Sequence, residues 1–365
     1  MGAGAILAGA AMAGITRFER LMLLLVATIA VLAGVADRQQ WAALPRFAIA
    51  TLALAGLAWV VALATEHTGE HLGAGATGVL QATLANLPEL FVVIFALNAG
   101  ELVVAQTALV GSLLANALLL LGIVIVVGAR QAPDGVMRFS KRLPNDVTTL
   151  LLVTVFVIVL VGLSLRTGDP ASHHPQAISV AGSCCLLFVY AAWLGPYLRG
   201  SSAPKPEGER AKARVELLPA LLLLGVSGVG AAFVSDWFVN ALEPAIVELN
   251  ISTAFAGLVI VAIAGNAVEH TAAIVLAAKG QSDLAISVVK NSVAQIAAFL
   301  FPALVLISLA LSTSLTFALS PVYMGALALM TIAVWQITGD GEASAFEGFA
   351  LAAIYVIVAV VAAYQ

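Results

Sequence analysis

Apolar residues run along this chain in blocks of twenty or so, and polar residues are confined to short interruptions between the blocks. A helix needs about 20 such residues to cross the hydrocarbon core of a bilayer. Eleven helical spans are expected, at residues 18–36, 45–65, 74–98, 102–128, 147–165, 175–198, 215–235, 251–278, 283–310, 320–338 and 346–364. The breaks fall at charge clusters or turn formers, such as Pro133-Asp134-Gly135 and Gly168-Asp169-Pro170. The tract from Asn291 to Gly339 carries no charge; it divides at Ser312-Thr313-Ser314 and at Ser320-Pro321.

Two polar intrusions stand out. Gly265-Asn266-Ala267-Val268-Glu269-His270 lies inside the block 251–278, and Ala85-Asn86-Leu87-Pro88-Glu89 lies 180 residues earlier. At that gapless offset Ala82, Asn86, Glu89, Ile94, Gly100, Ala105 and Ser112 match Ala262, Asn266, Glu269, Ile274, Gly280, Ala285 and Ser292. Spans two to six and seven to eleven then form two units of five helices. Because five is odd, the second copy enters the membrane inverted, and inverted repeats place a shared site near the midplane. The expected organisation is an extra N-terminal transmembrane helix (1–40), a first repeat (41–198), a cytoplasmic linker (199–214) and a second repeat (215–365).

Composition agrees with the pattern. The chain is 62% hydrophobic and only 10% charged, with a mean hydropathy of +1.06. The fold class is therefore an all-α polytopic membrane protein. A net charge of −4 with few basic residues gives nucleic-acid binding no support. With the N-terminus cytoplasmic, twelve basic residues collect on the cytoplasmic side (Arg17, Arg20, Arg130, Arg138, Lys141, Arg142, Arg199, Lys205, Arg210, Lys212, Arg214, Lys279). The other side receives Arg38, Arg46 and Arg166. That asymmetry puts the N-terminus inside and the C-terminus outside. Short loops suit a prokaryotic inner membrane. Cys184 and Cys185 are read as buried, inert thiols, because helical neighbours point apart and no metal spacing is present.

A carboxylate at membrane depth costs roughly 2.5–3.5 kcal/mol on insertion scales, so Glu89 and Glu269 mark a functional site. Asn and Glu at i, i+3 share a helical face. Pro88 leaves the carbonyl of Leu84 without a helical donor, and Gly265 is the weak point of the second copy. Carboxylates, amide oxygens and freed carbonyls are the hard oxygen ligands that calcium prefers. Ser112 and Asn116 at i, i+4 extend the first set, and Ser292 and Gln295 the second. Two carboxylates close together in low dielectric also bind protons, and competition between protons and a divalent cation couples opposing fluxes. His270, next to Glu269, either assists proton movement or packs between helices.

These motifs resemble the cation/proton exchangers of the calcium/cation antiporter superfamily, whose two repeats are built on Gly-Asn-x-x-Glu, each followed by a helix carrying Gly-Ser. The matching residues are Asn86-x-x-Glu89 with Gly111-Ser112-x-x-x-Asn116, and Gly265-Asn266-x-x-Glu269-His270 with Ser292-x-x-Gln295. The resemblance covers nearly the whole chain beyond its first helix. It implies calcium/proton antiport with Ca2+ as transported substrate and no cofactor, eleven spans, and alternating access as gating helices slide across a static core. The chain departs from the pattern at Ala85, where the family usually has glycine, at Pro88, and at Lys290-Asn291-Ser292, where it usually has small residues. Lys290 has two readings: it snorkels to the cytoplasmic interface, or its ammonium reaches the site and favours a monovalent cation. The second reading keeps an Na+ or K+/H+ antiporter open as the alternative. A cation channel would share the acidic midplane but would not need two inverted units.

His67-Thr68-Gly69-Glu70-His71 matches a zinc-peptidase pattern, His-x-x-Glu-His, but such a site requires a folded catalytic domain rather than a short loop between spans. A cytoplasmic amphipathic segment that gathers cations or senses pH is the alternative use of these residues.

Overall fold

A computed structural model describes residues 14–71, 84, 86–200 and 214–365. The chain is mostly helical, with helices α1 (Arg17–Arg38), α2 (Ala43–Gly69), α3 (Leu87–Asn98), α4 (Leu102–Gln131), α5 (Arg142–Thr167), α6 (Pro175–Gly200), α7 (Leu217–Leu249), α8 (Thr253–Gly265), α9 (Ala267–Ala278), α10 (Ser282–Ala310), α11 (Pro321–Thr338) and α12 (Ala345–Ala363). Among the described residues nine helices are long and apolar enough to cross a membrane, and α8 and α9 make a tenth span bent by 60°. The third expected span, 74–98, is described mainly as α3. Expected and observed ends agree within a few residues except in two places. Helix α7 runs 14 residues beyond the expected end at 235, because Phe238, Val239, Ala241, Leu242 and Ala245 bury a continuous face despite the charges between them. Helix α2 continues to Gly69, burying His67 and Thr68 where a loop was expected. Cys184 and Cys185 are exposed on α6, not buried; they point out from a helix whose surface lies in an apolar medium.

The chain divides into two compact units, Met1–Val92 with Leu194–Glu248, and Val93–Trp193 with Leu249–Gln365. In the first unit, α1 starts at a capping box, with Thr16 and Glu19 satisfying each other's backbone N–H. It lies along α2, where Gly56 leaves room for Val26, and under α7, where Gly34 takes the ring of Trp237. Phe47 and Phe238 stack with ring centroids 5.3 Å apart. The buried Arg46 donates to Gln40 Oε1 (2.8 Å) and to the carbonyl of Asn240.

The second unit has two polar ends. At one end strands β1 (Val136–Arg138) and β2 (Glu342–Ser344) pair antiparallel, Met137 opposite Ala343. The N–H of Ser140 donates to Asp283 Oδ1 (2.7 Å), and this ties the α9–α10 turn to the same end. The other end gathers Ser179 under the N–H of Phe317, Tyr323 on Gln365, and Ser252 on the carbonyl of Ala362. Between them helices touch backbone to backbone. A Cβ at Gly111 of α4 would meet the backbone of Leu258 in α8, and one at Gly257 would meet Thr107. Such close approach, possible only for the smallest residues, is how helices associate where there is no water to drive them together.

The offset of 180 recurs in the secondary structure. Leu87–Asn98 maps onto Ala267–Ala278, and both are 12 residues long. The turns that follow are alike in detail. Gly100 and Gly280 both have positive φ; Glu101 N bonds Ala96 O, and Gln281 N bonds Leu276 O. The next helices pass into π-helical turns at matching places, Ala115–Leu120 and Ile296–Leu300.

Gly111→Val forces the α4–α8 crossing apart, and overpacking of this kind costs about 1–3 kcal/mol. It should lower the melting temperature and the monodisperse fraction in detergent. Gly225→Ala, on α7 with open space around it, should be neutral or slightly stabilising.

Candidate cation site

Both Asn-x-x-Glu motifs lie at the start of an apolar helix of 12 residues. Asn86 and Asn266 each sit just before the first helical residue, and their carbonyls accept the N–H of Leu90 (2.9 Å) and of His270 (3.0 Å). Glu89 and Glu269 therefore lie in the first turns of α3 and α9. There the unpaired N–H groups and the helix dipole favour negative charge. Each helix, at about 1.5 Å per residue, covers roughly half of a bilayer core.

Asn266 interrupts the span. Its backbone (φ −103°, ψ 10°) is in the sparsely populated bridge region between two helical segments. The gap is filled by side chains from α4. Asn266 Nδ2 donates to Ser112 Oγ (3.0 Å) and to the carbonyl of Ala262 (2.8 Å). Its Oδ1 accepts from Asn116 Nδ2 (3.0 Å), which leaves Asn116 Oδ1 to meet His270 Nε2 (3.1 Å). An amide oxygen can only accept, so His270 carries its proton on Nε2 at this contact. Ser112, Asn116 and Asn266 are all buried.

Ser292 on α10 faces α9. Its hydroxyl lies beside the Glu269 carboxylate. Glu269 is half-buried with Oε2 enclosed, and neither that oxygen nor Ser292 Oγ completes a hydrogen bond of normal geometry among the described residues. A carboxylate and a hydroxyl side by side next to an amide-lined helix break are hard oxygen donors of the kind calcium takes. Among the described residues there is no group of three His, Cys, Asp or Glu side chains that could hold a metal. A cation held here would therefore draw on hydroxyl, amide, carbonyl and water oxygens in addition to its carboxylate.

The structure thus brings together six residues named from sequence: Ser112, Asn116, Asn266 and His270 in one hydrogen-bonded network, and Ser292 beside Glu269. Gly265 is the last residue of α8, and Gln295 is half-buried at the entry to a π-turn. Asn86 and Glu89 are buried in the first unit, where Ser235 of α7 donates to the carbonyl of Pro88 (3.4 Å). Ala85 lies outside the described residues. Lys290 follows neither reading made of it. It is 1% exposed, so it does not snorkel to water, and its Nζ donates to Thr338 Oγ1 on α11 (3.0 Å). The reason is helical geometry: Lys290 and Ser292, two residues apart, point to different sides of α10.

The sequence missed the π-turns. Ala115–Leu120 contains Asn116, and Ala256–Val261 precedes the break at Asn266. Such bulges recur at functional sites because they turn a side chain out of its helical register. The one available signal was the pairing of polar residues at i, i+4, Ser112 with Asn116 and Asn266 with His270.

The family model described as sodium/calcium exchanger protein matches residues 42–195 and 219–364. The chain is 30% identical to the Ca(2+)/H(+) antiporter of Synechocystis sp., over 87% of this chain and 91% of that one. It is 28% identical to the Ca(2+)/H(+) antiporter ChaA of Bacillus subtilis, over 94% and 98% respectively. Among solved structures, native YfkE superposes with a TM-score of 0.79 at 27% identity, covering 94% of this chain and all of that one.

Removing a buried amine whose partner is only a hydroxyl relieves a desolvation penalty. Lys290→Met, of similar length, should leave the melting temperature in detergent unchanged or higher. Lys290→Ala, which opens a cavity, should lower the unfolding free energy by about 2 kcal/mol or more.

Proposed function

Because the chain belongs to the sodium/calcium exchanger protein family, we propose that it is a secondary antiporter that exports Ca2+ from the cytoplasm against inward-moving protons. The observation that carries this reading is the pair of half-membrane helices, each starting with an asparagine and carrying a glutamate in its first turn. The names of its relatives, Ca(2+)/H(+) antiporters of Synechocystis sp. and Bacillus subtilis, support the choice of ions.

In this reading Glu89 and Glu269 are the two carboxylates for which cation and protons compete. With Ca2+ absent, each takes up a proton, because an uncompensated carboxylate in low dielectric favours its neutral form. Ca2+ displaces those protons with little change in net charge, so neither return step carries an uncompensated charge. Ser112, Ser292, Asn86 and Asn266 supply neutral oxygens, and Asn116, Gln295 and His270 orient them. The two copies are read as inverted repeats of five helices with α1 outside them. Support comes from the Gly100 and Gly280 turns: the first follows α3, and the second lies at the β1–β2 end of the second unit, a full span of α4 away from the start of that helix. The cytoplasm is assigned to the β1–β2 end, which carries Arg130, Arg138, Lys141, Arg142 and Lys279. The C-terminus then lies outside. Since Lys290 turns to Thr338, nothing favours a monovalent cation over Ca2+ at Glu269.

Vesicles carrying the purified protein and an imposed proton gradient provide the test. Ca2+ should dissipate the gradient, whereas Na+ and K+ should not. Glu269→Gln and Glu89→Gln should each reduce the Ca2+ response to background, and Asn266→Ala should weaken it about tenfold. Full exchange by Glu269→Gln, or dissipation by K+ alone, would overturn the assignment.

A further inference from the structure

Hydroxyls inside transmembrane helices ordinarily bond a carbonyl of their own preceding turn. Thr51, Thr65 and Thr68 of α2 and Ser227 of α7 do so, on Phe47, Val61, Ala64 and Leu224. Ser235, eight residues after Ser227 on α7, follows another course. Its hydroxyl donates across to the carbonyl of Pro88, in the first turn of α3 (3.4 Å), and the side chain is fully buried. Seven residues before it on the same helix, a Cβ at Gly228 would lie 3.8 Å from the Leu87 side chain. Positions seven apart share a helical face. One face of α7 therefore runs over the start of α3, where Asn86 and Glu89 are also buried.

The carbonyl that Ser235 holds belongs to the rigid peptide plane that enters Glu89. On the other side of that plane the proline ring fixes φ at about −65°. With φ set by the ring and the carbonyl set by the hydroxyl, the path of the chain into Glu89 has little freedom left. The second copy has neither part: Val268 stands before Glu269, and the residue 180 positions before Ser235 is Ala55. Ser112, the serine that the repeat would assign to Glu89, is engaged on Asn266.

We propose that Ser235 is a positioning residue for Glu89, setting the first turn of α3 so that the carboxylate meets the cation. Calcium takes its oxygens at about 2.3–2.6 Å. A turn that drifts holds the carboxylate out of reach for part of the time, and binding weakens. Once the cation is in place the exchange cycle is unaltered, so the maximal rate stays the same. The inference rests on the antiport reading for what Glu89 binds; the placing of its turn stands apart from that reading.

In vesicles, Ser235→Ala should raise the KM for Ca2+ about fivefold, the effect of one ordinary hydrogen bond, and leave the maximal rate within about twofold of wild type. Ser235→Thr, which keeps the hydroxyl, should stay close to wild type. Ser235→Val, with the shape of threonine and no hydroxyl, should match Ser235→Ala. Ser227→Ala, which removes a back-bonded hydroxyl from the same helix, should leave KM unchanged. Hydrogen exchange supplies a readout that needs no transport. In Ser235→Ala the Leu90 amide, bonded to the carbonyl of Asn86, should exchange about fivefold faster. Its counterpart, the His270 amide on the carbonyl of Asn266, should keep the wild-type rate. Equal loosening at both amides, an unchanged KM in Ser235→Ala, or Ser235→Thr no better than Ser235→Val would each overturn the positioning role. Faster exchange at Leu90 alone, in a protein whose wild-type form moves no Ca2+, would instead count against the antiport reading and leave that role in place.

Discussion

A helix in a bilayer cannot leave backbone groups unpaired, because no water is present to replace the lost partner. The break at Asn266 exists because Asn266 itself takes the carbonyl of Ala262 and because Ser112 and Asn116 of the neighbouring helix saturate the amide. Those neighbours can reach it only because Gly111 and Gly257 let α4 and α8 touch along their backbones. The polar centre and the small residues around it are thus one device. The amide network holds the break open, and the close crossing keeps lipid out of it.

Part of this pattern recurs 180 residues earlier. Asn86 and Asn266 each accept the N–H four residues on, Glu89 and Glu269 lie in first turns, and the turns at Gly100 and Gly280 share a positive φ and the bond from Glu101 to Ala96 or from Gln281 to Leu276. The packing around them differs. Position 110 on α4 is a buried valine, whereas its counterpart, Lys290 on α10, is a lysine that ends on a threonine hydroxyl. Gly111 is matched by Asn291. The second copy thus carries more polar side chains at the same depth, and α10 can tolerate them because Thr338 receives the amine.

Most of the architecture was legible in the chain because a membrane imposes one rule, about twenty apolar residues per span, and breaks of that rule are expensive enough to mean something. Asn86, Glu89, Asn266 and Glu269 stood out as candidates for that reason, and the 180-residue offset was visible because polar matches inside apolar helices are improbable. The π-turns were not, since one extra residue in a helical turn leaves no compositional trace. The long end of α7 was misjudged because Asp236, Glu243 and Glu248 look like loop residues until their apolar neighbours are seen to share a buried face. Lys290 was misread for a different reason. Its depth could be counted along α10, but the side it faces depends on where α11 ends.

The β1–β2 pair also says something about assembly. Its strands lie far apart in the chain, with Arg138 meeting Glu342 across 204 residues. During synthesis β1 emerges with an open edge and waits while six further spans, α5 to α11 with α8 and α9 as one, are threaded into the bilayer. That end of the second unit therefore closes only when the polypeptide is nearly finished, a long-range closure of the kind that slows folding. Until then its first-made helices must be held by their own crossings and by the insertion machinery.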